Sequence, residues 1–316
     1  VFCIVKAAVH PALFDEPATM AGIAIAHSAF NVLCTAMLLP AGGLLEKLAK
    51  RIVPDGKHAD RFAELDERLL ATPSLALERS RAVAAEMAER SVRALKNALL
   101  CVTKYSSALA ASVQQDESDC DHYEDILGTY LVKLSACKLS ETESEEATEL
   151  LKTIGDFERI SDHAVNILES AEELREKKLS FSASAQTEFD TLSAAINEIL
   201  DLSLESFTHD DVTVAAQVEP LEQVNDTLKE QMRTRHILRM QQGHCSIAAG
   251  FVWSDLLTNL ERTSDHCSNI AGCVIDTAQH NLNLHETLSA VKHGDGAFRH
   301  SFERYAEKYR LPYEVA

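Results

Sequence analysis

The sequence predicts an all-α chain: one N-terminal transmembrane helix, followed by a tandem pair of three-helix bundles. Three observations lead there. Gly (11) and Pro (7) are sparse among 316 residues, while Ala, Leu, Glu and Ser dominate, a composition that favours helix. The run from Ala18 to Leu45 contains no Asp, Glu, Lys or Arg. And one stretch occurs twice: Glu158-Arg159-Ile160-Ser161-Asp162-His163-Ala164-Val165-Asn166-Ile167 returns 103 residues later as Glu261-Arg262-Thr263-Ser264-Asp265-His266-Cys267-Ser268-Asn269-Ile270, identical at seven of ten positions. A fixed offset of this size marks a duplicated module.

The bulk numbers exclude some functions. A formal net charge of −19 argues against a nucleic-acid binder, whose footprint would be basic. The eight cysteines form no C-x-x-C pair and read as reduced, small core residues in a cytosolic setting. The chain opens Val1-Phe2-Cys3, without Met, a basic n-region or a cleavage signature. The expectation is a fragment boundary and not a signal peptide.

Taken in order, residues 1–53 are expected to be the end of a membrane domain. Its last helix, about 18–45, supplies the roughly 20 apolar residues that a bilayer span needs. Glu46, Lys47, Lys50, Arg51 and Lys57 follow, a basic excess that places everything after about residue 46 in the cytoplasm. His27, Asn31 and Thr35, spaced by four, form a polar stripe on this helix, the kind that faces a partner helix or a solute path. Residues 54–73 read as a linker, opened by the turn signal Pro54-Asp55-Gly56.

Six helical segments are then expected: Ser74–Ala111, about Glu117–Leu139, Thr142–Lys178, Ala185–His209, Asp211–Gln241 and about Gly243–Gln279. They group as repeat 1 (74–179) and repeat 2 (180–280). In the first copy of the duplicated stretch, Phe157, Ile160, Ala164 and Ile167 draw an apolar stripe, beside which Glu158, Asp162 and Asn166 stack at steps of four. The second copy repeats this with Leu260, Thr263, Cys267 and Ile270 beside Glu261, Asp265 and Asn269. Stacked like charges cost a few tenths of a kcal/mol, so a compensating partner is expected. The middle helix of each triplet carries a weaker echo, Asp121/Glu124 and Glu219/Glu222. As a middle helix runs antiparallel to the third, these acids would lie opposite Glu158/Asp162 and Glu261/Asp265. The tail, 281–316, ends in one short amphipathic helix, Phe298–Tyr309, read as a docking segment.

Carboxylates with Asn and His at helical spacing can hold Mg²⁺, Ca²⁺ or Mn²⁺, or with His, Fe or Zn. The candidate ligands are Glu158, Asp162, Glu261 and Asp265, with Asp121, Glu124, Glu219, Glu222, Asn166 and Asn269 as additions. The residues alone leave a second possibility open: a polar network, in which Arg159 and Arg262 pair with acids of other helices while His163 and His266 only hydrogen-bond. An enzyme is not expected. The chain has no G-x-S-x-G, P-loop, Gly-rich dinucleotide turn or H-E-x-x-H, and consecutive Ser-Asp-His residues on a helix point about 100° apart.

Two three-helix repeats, each with Glu-x-x-x-Asp on its last helix, resemble a PhoU domain, over about Ser74 to Gln279. Ala24-Ile25-Ala26-His27-Ser28-Ala29-Phe30-Asn31-Val32 resembles the last membrane helix of bacterial type II Na⁺/phosphate cotransporters, and Phe302-Glu303-Arg304-Tyr305-Ala306-Glu307-Lys308-Tyr309 is similar to their tails. The resemblance implies metal at the Glu-x-x-x-Asp helices. It also implies the C-terminal part of an Na⁺-dependent phosphate symporter in the plasma membrane, with Na⁺ as coupling ion. Inorganic phosphate and Na⁺ would be met through a transport core missing from this chain. Membrane lipid and a second copy of the chain are further expected partners; nucleic acid is not. The alternative is a membrane-tethered PhoU-like adaptor that regulates an ABC phosphate transporter or a phosphate-sensing kinase.

Overall fold

The computed structural model of the chain describes residues 27–35, 65–279 and 296–312. The chain divides into two compact units, Val1–Ala63 and Glu64–Ala316. In the first, residues 27–35 are helical, and His27, Asn31 and Thr35 are exposed along one of its faces. The rest of the membrane helix expected over 18–45, and of the segment 1–53, lies outside the described residues. Among the described residues no helix is long and apolar enough to cross a membrane.

The second unit opens with a 3-10 turn, Glu67–Ala71, capped by Asp66, whose side chain accepts from the Arg68 backbone N–H. This turn lies within residues 54–73, the stretch expected to be the linker. Six long helices follow: α1 (Pro73–Thr103), α2 (Ser107–Ser135), α3 (Glu141–Glu176), α4 (Ala183–His209), α5 (Val212–Gln241) and α6 (Ile247–Gln279). Among the described residues no strand occurs. The boundaries have local causes. Pro73 opens α1, where its missing N–H costs nothing. Ser140 and Glu143 form a reciprocal capping box at α3. Asp211 accepts from the backbone N–H groups of Thr213 and Val214 at the start of α5. Gly243, at φ 74°, supplies the left-handed residue of the α5–α6 turn.

One boundary differs from expectation. The first break falls at Lys104–Ser106 and not near residue 112, so α2 begins ten residues earlier than the sequence pattern indicated. Apolar periodicity runs on through the turn because both flanking helices bury a face in the same core, so pattern alone does not show it. The turn is held instead by Tyr105, whose hydroxyl donates to Glu172 at 3.0 Å under the guanidinium of Arg175, 4.3 Å from the ring centroid.

Helices α1, α2 and α3 pack on one another, as do α4, α5 and α6, and the two bundles meet through α3 against α6 and α1 against α4. The duplicated stripe is the centre of each core: Phe157, Ile160, Ala164, Ile167, Leu260, Thr263, Cys267 and Ile270 are all fully buried. Each buried Phe or Ile contributes about 1.5–3 kcal/mol of transfer free energy. The described cysteines are all free thiols, and burial pushes that of Cys120 up to about 12, which suits an inert core residue.

Helix α7 (Gly296–Lys308) packs against α5. Its end reaches α4, where Lys308 meets Glu198 at 2.6 Å and the Tyr309 hydroxyl donates to the same carboxylate. Arg304 donates to Gln217 of α5. The expected docking helix thus docks on its own chain. The rest of the tail up to residue 295 lies outside the described residues.

Candidate metal centre

The duplicated stretch splits into two jobs, decided by which way each side chain leaves its helix. His163 and His266 point across the α3–α6 contact. Their rings lie 5.6 Å apart between centroids. Nδ1 of His163 is 2.9 Å from Asn259 Oδ1, and Nδ1 of His266 is 2.8 Å from Asp156 Oδ1. Both histidines therefore serve as donors between the bundles. Asn269 joins them, donating to Asp156 at 3.3 Å, whereas Asn166 is exposed. The two asparagines expected among the ligands are thus placed apart, Asn269 in the bundle contact and Asn166 at the surface.

The acids occupy the adjoining face. In repeat 1, Glu158 shares its surroundings with Asp162, Glu124 and Asp121. Burial, then Asp162, then the two acids of α2 push its carboxyl up to about 7, against the pull of Arg159. Glu117 is raised as well, by burial and then by Asp162 and Asp121. The antiparallel middle helix does bring its acids to Glu158, as expected. Arg159 does not reach another helix: it pairs with its own neighbours, Glu158 at 3.4 Å and Asp162 at 3.2 Å.

In repeat 2 the acids close further. One carboxylate oxygen each from Glu222, Asp226 and Asp265 lies within 4.8 Å of the others. Among the described residues no other trio of His, Cys, Asp or Glu does so. Glu222 is buried while Asp226 and Asp265 are exposed. Burial, then Glu261 and Asp226, raises the Asp265 carboxyl above its ordinary value. Two ionised carboxylates at this separation repel by about 3–4 kcal/mol at an effective dielectric of 20, a cost that a bound cation removes. Glu261 is turned away to Lys229 Nζ, at 2.6 Å. Glu219 is turned inward, where it accepts from the Ser268 hydroxyl. Both differ from their expected place among the ligands. Asn225 of α5 donates to Ser264 of α6 at 2.9 Å and holds the two helices together beside the trio.

Asp226 was not foreseen. Its signal was present: Glu222-x-x-x-Asp226 has the same spacing as the two Glu-x-x-x-Asp pairs. Where the echo pairs Glu124 with Glu222, the position of Asp226 falls on Gly128, whose added Cβ would lie 3.9 Å from Glu124 Oε1. Repeat 1 therefore lacks the third acid at that register. Two further acids of α2 near Glu158 or Asp162, Asp121 and Glu117, lie one and two turns before Glu124.

The donor set of repeat 2 is three carboxylates without sulfur. His266 uses Nδ1 on Asp156. Oxygen donors of this kind suit hard or borderline cations such as Mg²⁺ and Mn²⁺.

This architecture has solved counterparts. The chain is similar to the crystal structure of PhoU from Pseudomonas aeruginosa, with a TM-score of 0.56, 20% sequence identity and coverage of 68% of this chain and 99% of that one. It is similar also to the phosphate transport system regulatory protein PhoU from Streptococcus pneumoniae, with a TM-score of 0.58, 16% identity and coverage of 67% and 99%. At these identities the likeness speaks for the fold. A sequence relative, the phosphate-specific transport system accessory protein PhoU homolog 1 of Thermotoga maritima, is 28% identical over 145 residues, which are 46% of this chain and 61% of that protein. The chain thus matches about three fifths of that relative's length. The model of the PhoU domain matches twice, over residues 84–171 and 189–274, one match in each bundle and together more than half of the 316 residues. The chain belongs to the PhoU domain family.

Proposed function

We propose that this chain is a regulatory adaptor of phosphate uptake, which binds a phosphate transporter or a phosphate-sensing kinase at the cytoplasmic face of the plasma membrane and catalyses no covalent step. The observation that carries this reading is the double PhoU match, one per bundle. The Thermotoga maritima relative, named as an accessory protein of phosphate-specific transport, supports the choice of partner. Deleting the gene tests it: a phosphate-starvation reporter should become active in phosphate-rich medium, and the intact gene should restore repression. A reporter that stays repressed in the deletion strain would overturn the adaptor reading.

The site in this reading is the carboxylate trio. Glu222, Asp226 and Asp265 would hold a divalent cation, Mg²⁺ or Mn²⁺ ahead of Fe or Zn. The bound ion would supply positive charge between α5 and α6. The chain's own contribution is to hold the three carboxylates at one place by the Asn225–Ser264 bond and to keep Glu261 on Lys229. Repeat 1, with Glu158, Asp162, Asp121 and Glu124, is the weaker site, since burial and the neighbouring acids favour the protonated form of Glu158.

A second reading keeps support from the charge-free run Ala18–Leu45 and the helical stripe His27, Asn31, Thr35. In it, the chain is the C-terminal part of an Na⁺-coupled phosphate symporter, and the PhoU bundles gate a transport core encoded upstream. Phosphate uptake by the full gene product in vesicles separates the two readings: Na⁺-dependent uptake favours the symporter, and none favours the adaptor.

A further inference from the structure

The α5–α6 hairpin encloses a second feature that the metal reading leaves unused. A cavity of about 450 Å³ opens between the C-terminal half of α5 and the N-terminal half of α6, within the size range of small-molecule sites. Its walls are Ile237, Met240, Ile247, Phe251, Trp253 and Leu257. Trp253 and Leu257 form a buried back wall, whereas Ile247 and Phe251 stand more than two-thirds exposed at the mouth. Gly250 lies in the wall as well. A Cβ there would come within 3.0 Å of His236 Nε2 and 3.2 Å of Met240 Sδ, so the absence of a side chain lets α6 approach α5 closely at this level. Met240 adds an adaptable surface.

The charge around this cavity runs against the rest of the chain. With a net charge of −19 overall, residues 229–239 carry Lys229, Arg233, Arg235 and Arg239 against one acid, Glu230. Glu188 takes Arg235 and Arg239, and Glu261 takes Lys229. Among the described residues Arg233 pairs with Glu230 alone, at 3.8 Å, with both side chains largely exposed, and it lines the cavity. An apolar recess with an available guanidinium at its edge is complementary to a molecule with an apolar body and an anionic head.

We propose that the α5–α6 cavity is a binding site for a free single-chain anionic amphiphile, a carboxylate or phosphate on an acyl chain, with its body against Phe251, Ile237 and Met240 and its head on Arg233. At ~30 Å³ each, the share of a water in the liquid, the cavity holds about fifteen non-hydrogen atoms, the size of a medium-length acyl carboxylate. The recessed back wall of Trp253 and Leu257 fits one inserted molecule better than the flat face of a bilayer. The cavity's lining reaches Lys229 and Glu261 beside the cation site, but none of Glu222, Asp226 and Asp265 belongs to it.

The chain has a single tryptophan, and it lies in this wall. The test is therefore fluorescence quenching of Trp253 in the full chain by chain-brominated dodecanoate, below its micelle concentration. The expected result is saturable quenching at one molecule per chain. Arg233→Glu should weaken it by about tenfold, as loss of a charge-assisted hydrogen bond does, and Thr258→Phe at the cavity edge should block it. Lys177→Glu, a charge reversal at the end of α3, should leave it unchanged. Non-saturable quenching, or equal effects of Arg233→Glu and Lys177→Glu, would overturn the proposal. So would Arg233-dependent binding to phosphatidylcholine–phosphatidylglycerol vesicles without quenching by the free amphiphile, which would mark the hairpin as a bilayer contact.

Discussion

His163 and His266 face each other across the α3–α6 contact, and each bonds to the residue two helical turns before the other: His163 to Asn259, and His266 to Asp156. The two contacts are the same contact made twice, because His163 and His266, like Asp156 and Asn259, occupy equivalent places in the two repeats. The order of the pairs also shows that α3 and α6 run antiparallel. Duplication has produced an interface related to itself by an approximate two-fold axis, and the polar pairs fix its register.

Breaking one of these pairs should loosen the two bundles without unfolding either. Asp156→Ala removes the acceptor of both His266 and Asn269 and should cost about 1–3 kcal/mol, the range for leaving half-buried donors unmet. Asn259→Ala should cost less, since one donor is affected. Urea unfolding at pH 7.5 checks the order. Equal costs would contradict the shared role of Asp156.

Glu158 makes stability depend on pH in a stated direction. Its carboxyl is raised to about 7, first by burial and next by Asp162, so the folded chain binds more protons there than the unfolded chain between its ordinary value near 4.5 and pH 7. Stability then falls as pH rises through that window. Glu158→Gln removes the penalty. In chelator, the variant should melt close to the parent at pH 5 and above it at pH 8, by on the order of 1 kcal/mol once solvent screening is allowed for. A variant that melts below the parent at pH 8 would refute this.

The two acidic sites should differ in cation binding. Glu222→Gln with Asp226→Asn should abolish most Mn²⁺ binding in calorimetry of the full chain, and Glu158→Gln with Asp162→Asn should leave most of it. Loss in both pairs alike would return the sites to equivalence.

Within repeat 2, Glu188 is 1% exposed and accepts both Nη1 and Nη2 of Arg239 at 2.8 Å, with Arg235 at 3.4 Å. Arg235 also donates to the carbonyl of Pro312 at 2.9 Å, so this carboxylate anchors α5 to α4 and steadies the C-terminal segment. Glu188→Ala would leave a buried guanidinium uncompensated and should cost about 3–5 kcal/mol, read in urea unfolding. Glu188→Leu with Arg239→Met should recover much of that loss.

Much of this architecture was legible in residue order. The 103-residue offset announced two modules, and the spacing of Phe157, Ile160, Ala164 and Ile167 named the buried stripe, because 3.6-residue periodicity follows from helix geometry alone. The acids of α2 near Glu158 followed from antiparallel neighbours. Tertiary structure alone decided the rest. The Lys104–Ser106 break is silent in the pattern because both flanking helices feed one core. Glu219 and Glu222 lie three residues apart and read alike, yet the rotation of α5 sends one to Ser268 and the other to Asp265. Glu261 leaves the trio because Lys229 of α5 lies within 2.6 Å. The histidines of the duplicated stretch became a bundle contact because α3 meets α6 on that face. Spacing along one helix determines which residues share a side; how the helices are turned against each other determines what that side meets.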